Sequence, residues 1–76
     1  MKELIEYIVK SIVDHPDEVE ITETEAEKTT IIELKVASDD LGKVIGKQGR
    51  MAKALRTIVS ASASKDGRRL ILEIIE

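Results

Sequence analysis

The 76-residue chain contains no cysteine, no phenylalanine and no tryptophan, and has one tyrosine, one proline and one histidine. Without cysteine it forms no disulfide, iron–sulfur cluster or thiolate zinc site. With a single aromatic ring, its core must be aliphatic, built from Ile, Val and Leu. No apolar run approaches the roughly 20 residues of a membrane-spanning helix, and the N-terminus lacks the features of a signal peptide. Together these absences suit a cytoplasmic protein with no membrane partner. A chain of this length makes one small domain, residues 1–76, with a thin core.

Catalytic chemistry is equally hard to find. A reaction centre needs a nucleophile with a base, paired carboxylates or a metal site. The single histidine, His15, precedes Pro16 at a helix end. Asp39 and Asp40 are adjacent and stand before a helix, where acids serve capping rather than proton transfer. Tyr7 lies in an amphipathic helix, where one ring reads as packing or surface. Gly42-Lys43-Val44-Ile45-Gly46-Lys47-Gln48 approaches a phosphate-binding P-loop, but its first gap is one residue short and Gln48 replaces the required hydroxyl. The chain is therefore read as non-enzymatic, with no metal and no cofactor.

The formal net charge is −3, at first sight a poor match for nucleic acid. Its distribution reverses that impression. Residues 43–69 hold eight basic side chains and one acidic (+7), whereas residues 1–42 hold four basic and twelve acidic (−8). Local field steers a polyanion more than total charge does.

Periodicity divides the chain into six elements. Leu4, Ile5, Ile8, Val9, Ile12 and Val13 recur on one helical face across residues 2–14, and His15-Pro16 ends that helix. Val19–Glu25 alternates apolar or Thr with charge, as an edge strand guarded by glutamates does. Thr29–Val36 is a second strand with Ile32, Leu34 and Val36 on one face, and the turn near Glu27-Lys28 lacks a glycine. Ser38-Asp39-Asp40 reads as a helix start, with a hydroxyl cap and dipole-favoured acids. The short helix it opens turns Leu41, Val44 and Ile45 inward and stops at Gly46.

A second helix runs from near Gly49 to about Ser64, burying Ala52, Leu55, Ile58 or Val59, and Ser62, and Lys65-Asp66-Gly67 terminates it. Arg68–Ile75 is a final strand whose nearly unbroken apolar run suggests burial on more than one side. The order is α-β-β-α-α-β. A hairpin followed by a right-handed crossover through two helices gives a three-stranded mixed sheet with three helices on one face, an α+β fold.

The most informative segment is Val44-Ile45-Gly46-Lys47-Gln48-Gly49-Arg50. Two glycines bracket two polar residues between an apolar pair and a helix. Glycine lets the backbone take unusual dihedrals and approach another chain closely. A loop opening on a helix N-terminus offers free N–H groups to an anion, an arrangement suited to a nucleic-acid backbone.

These residues carry a resemblance. The element order, with GxxG between the fourth and fifth elements, resembles the type II KH domain of bacterial RNA-binding proteins. The stretch from Leu41 to Arg56, with Val44-Ile45 before the loop and Ala52-Lys53-Ala54-Leu55-Arg56 after it, is similar to the small stand-alone KH proteins of the KhpA or YlqC-like family, over the whole chain. The resemblance implies that Gly46, Lys47, Gln48 and Gly49 contact the sugar-phosphate backbone of single-stranded RNA, with Lys47 the chief charged contact. It implies that Val44, Ile45 and Ala52 wall a groove for bases, and that Arg50, Lys53 and Arg56 line its basic flank. It further implies self-association as a homodimer and pairing with a larger KhpB-like protein that carries its own KH domain. On this reading the protein is an RNA chaperone or post-transcriptional regulator. The alternative is a protein–protein adaptor on a KH scaffold, for which acidic or bulky loop residues are expected in place of Lys47 and Gln48.

Overall fold

The computed structural model describes residues 2–67 and 69–75, with the side chains of residues 62–66 left out of the description. The elements follow the expected order: α1 (Lys2–Ile12), β1 (Glu20–Glu25), β2 (Thr29–Lys35), α2 (Leu41–Ile45), α3 (Arg50–Asp66) and β3 (Arg69–Ile74). Short 3-10 turns at Pro16–Glu18, Ser38–Asp40 and Lys47–Gly49 join them.

α1 buries Ile5 and Val9, one turn apart, and leaves Leu4 and Tyr7 exposed. Glu3 in its first turn and Lys10 in its last complement the helix dipole, and Lys10 lies 3.5 Å from Glu6 on the next turn back. The helix ends at Ile12, two residues before the expected boundary, although Val13 N–H still donates to Val9 O at 3.2 Å.

β2 is the central strand. It pairs antiparallel with β1, Ile21 opposite Leu34, and parallel with β3, Leu72 opposite Ile32. The period-two alternation buries Thr30, Ile32 and Leu34 against the helices, and Val36 continues that row. The hairpin closes through Ala26 N–H to Thr29 O at 2.7 Å. Neither Glu27 nor Lys28 has a positive φ, which explains why the turn needs no glycine.

The core gathers Ile5, Val9, Ile32, Leu34, Val44, Leu55, Val59 and Leu72, so every element except β1 contributes a fully or almost fully buried aliphatic. β3 is less enclosed than its composition suggests. Leu72 is buried, Leu70, Ile71 and Ile74 are half-buried, and Ile75 is exposed. As the outer strand of a sheet with one open face, it cannot bury both sides. Of α3, Ala52, Leu55 and Val59 are buried and Ile58 half-buried, while Ser62 and Lys65 lie outside the described side chains and Arg68 outside the described residues.

The expected cap at Ser38 is not formed. Ser38 is exposed, and neither the 3-10 turn that follows Ala37 nor α2 has a side-chain cap. Asp40 is wholly buried instead, and its two carboxylate oxygens accept the backbone N–H groups of Asp14 at 3.0 Å and His15 at 2.9 Å. Proline at 16 stops helix α1, which leaves these amides in need of acceptors. The carboxylate serves a segment some 25 residues away rather than its own helix.

Candidate nucleic-acid interface

The loop is shaped by its dihedral angles. Gly46 stops α2 with φ 78° and ψ 173°, while its N–H still donates to Gly42 O at 2.9 Å. A Cβ at this position would lie 2.7 Å from Met51 Cβ and 2.8 Å from Met51 N, so glycine is required both by backbone and by space. Gln48 (φ 56°, ψ 26°) and Gly49 (φ 73°, ψ 13°) are the central pair of a turn in which Arg50 N–H bonds back to Lys47 O. Those angles approximate a type I′ turn, the mirror image of the common form. Gln48 is the one non-glycine with positive φ among the described residues. The turn leaves Lys47 and Gln48 exposed at its tip and leads directly into α3.

Around this loop the expected site residues separate into two groups. Lys47, Gln48 and Arg50 are exposed, and the Arg50 guanidinium reaches within 3.5 Å of Gln48 Oε1. Lys53 and Arg56 project from α3 into solvent, and Gly46, Gly49 and Ile45 are half-buried. Val44 and Ala52, by contrast, are core residues, 0% and 5% exposed. They support the loop from beneath, and the apolar surface beside it falls to Ile45 alone of the three expected wall residues.

A further apolar surface lies on β3. Between α3, which packs on it, and the outer edge of the sheet runs a groove of about 250 Å³ lined by Arg56, Ser60, Arg69, Leu70, Ile71 and Leu72. Arg69 N–H bonds to Lys28 O and Ile75 N–H to Leu34 O, both toward the hairpin and β2. By alternation the peptide groups of Leu70 and Leu72 are turned to the outer edge. In the sequence, Arg69 stood out only as part of the basic segment and Leu70, Ile71 and Leu72 only as the apolar run of the final strand, none of them as site residues. The signal lay in topology, since a crossover through α2 and α3 sets β3 parallel beside β2, with α3 packed on it.

Electrostatics refine the basic segment. Lys43 forms an ion pair with Asp14 and is committed to that partner. The hydrogen bond to Asp14 raises its pKa above the ordinary lysine value, against burial, with the charges of Asp14 and Asp40 adding to the rise. Burial pushes the Asp40 carboxyl up, but the Asp14 and His15 amides, helped by the charges of His15 and Lys43, outweigh it and hold the pKa below the usual carboxylate value. No group of metal-binding side chains occurs among the described residues, and among them no helix is long and apolar enough to cross a membrane.

Comparison with known proteins agrees with this architecture. Residues 2–74 match the family model described as KhpA/KhpB, KH domain. The chain is 57% identical over 75 residues to the RNA-binding protein KhpA of Clostridium acetobutylicum, covering 99% of this chain and 100% of that protein. It is 56% identical over 75 residues to KhpA of Caldanaerobacter subterraneus, covering 99% and 100%. With KhpA of Aquifex aeolicus it shares 54% identity over 76 residues, covering 100% and 96%. No solved structure matches. The chain belongs to the KhpA/KhpB family of KH domains, a non-enzymatic family.

Proposed function

We propose that this protein is a cytoplasmic RNA-binding protein, one KH domain over residues 1–76, that holds a short single-stranded segment between the glycine loop and the α3–β3 groove. The observation that carries the reading is the left-handed turn that exposes Lys47 and Gln48 at the start of α3, the helix whose Arg56 lines a groove with Arg69. Phosphates lie along Gly46–Gly49 and meet Lys47, with Arg50 and Lys53 on the flank. Bases lie against Ile45 and Leu70, and the edge-facing peptide groups of Leu70 and Leu72 read their polar edges. Backbone contacts position the strand and base contacts supply a modest preference. The names of its relatives, RNA-binding proteins, support the same partner. A single site of this size binds weakly. Self-association or pairing with a larger KhpB-like protein raises avidity by about 10²–10⁴, which suits an RNA chaperone or post-transcriptional regulator.

The test is the double substitution Lys47→Asp with Gln48→Asp. Both side chains are exposed, so the fold is retained, and affinity for single-stranded RNA should be abolished. Unchanged affinity in the folded double variant would remove the loop from the mechanism.

A further inference from the structure

We infer that Asp40 is a positioning residue for the RNA-binding loop, holding α2 and the glycine turn in register through its tie to the end of α1. The inference rests on the RNA-binding reading of that loop. α2 has five residues, too few to be stable on its own. Its direction must come from tertiary ties. Val44 is sunk in the core with Leu41 packed against it, Lys43 pairs with Asp14, and the Asp40 carboxylate takes the amides of Asp14 and His15. The two polar ties both end on the segment that follows α1.

Asp40 is the one charged residue among the buried groups described, and its oxygens are fully engaged. It stands immediately before α2, and Gly46 stands immediately after it, about 9 Å away at 1.5 Å per residue. One and a half turns hold together only while their tertiary ties are made, so a loss at one end is felt at the other. Gly46 N–H is itself bonded to Gly42 O, so the entry to the glycine turn is part of the same short helix. Release of the carboxylate clamp would leave the start of α2 held only by the partly buried Leu41 and the exposed Lys43 pair, and the turn at its other end would shift with it.

The test compares three forms of the protein with a fluorescently labelled random-sequence single-stranded RNA, well below the melting transition. In Asp40→Asn the amide keeps one acceptor, but its NH₂ meets the second backbone donor, so one tie is lost. RNA affinity should fall about tenfold, the fall expected if the competent loop population drops to about a tenth, and the Gly46 and Gly49 amide resonances should shift or broaden in the free protein. Asp14→Asn, which removes the ion pair and keeps both amide donors, should bind within about threefold of wild type, the range of one exposed pair. Wild-type affinity and unchanged loop resonances in folded Asp40→Asn overturn the inference, as does an equal loss in Asp14→Asn.

If Asp40→Asn does not fold, hydrogen exchange on the wild-type protein decides. The Asp14, His15 and Gly46 amides should open as one unit, and an opening of 14 and 15 that leaves Gly46 protected overturns the coupling. Should Lys47→Asp with Gln48→Asp leave RNA binding intact, the loop reading fails, while the resonance shifts in Asp40→Asn still judge the clamp.

Discussion

A methyl group added at Gly46 would sit 2.7 Å from Met51 Cβ and 2.8 Å from its backbone nitrogen, whereas one added at Gly49 would meet nothing within 4 Å. The two glycines of one motif therefore answer to different constraints. At Gly46, φ 78° with ψ 173° is open essentially to glycine alone, and the clash is with backbone that cannot step aside. Gly46→Ala should cost about 2–5 kcal/mol, strain and overpacking together. Gly49→Ala carries only the left-handed penalty, about 1 kcal/mol. Thermal denaturation of the two variants checks the order, and equal losses would contradict the geometry. The glycines themselves were legible in the sequence because their spacing is distinctive. The positive φ of Gln48 was not, since nothing in a glutamine announces a left-handed backbone and only the turn that encloses it imposes one.

Among elements, the periodic ones were read to within two residues of their ends, because burial of one face writes itself into the sequence as a period. Contacts across long separations left no such mark. Asp40 looked like an acid favouring its own helix dipole, and its true partners are the amides of Asp14 and His15. The proposed base groove was half legible for the same reason. The α2–loop–α3 side is contiguous, whereas Leu70 to Leu72 arrive from the far end of the chain.

The clamp has a measurable signature in acid. Its folded pKa lies below the unfolded value of about 3.9, so the unfolded chain binds the proton more readily. The contribution of Asp40 to stability is fully present above that value and is lost as pH falls through the folded pKa. The groups that face it are the Asp14 and His15 amides and the charges of His15 and Lys43. Melting temperatures of wild type and Asp40→Asn should therefore stand apart at neutral pH and converge in acid. Parallel curves down to low pH would mean that the carboxylate charge does not stabilise the fold.

At the scale of the whole molecule, the sheet order separates the charges that the sequence had already segregated. β1, with exposed Glu20 and Glu23, forms one edge, and β3, with Arg69, forms the other. Two inter-strand spacings put about 10 Å between them, close to one Debye length at about 0.1 M salt. The acidic edge is thus screened from the groove under physiological conditions and felt by it in dilute buffer, where the Debye length is about 30 Å at 0.01 M. On the proposed reading, two to four phosphate contacts should give the wild-type protein a log–log salt slope of roughly −1.5 to −3 on single-stranded RNA. Neutralising the edge with Glu20→Gln and Glu23→Gln should leave affinity near 0.15 M salt almost unchanged and tighten it in 0.01 M salt, so the slope steepens. Equal tightening at both salts would place the RNA against β1 itself. A slope near roughly −8 would replace a loop-and-groove site with diffuse polyelectrolyte binding.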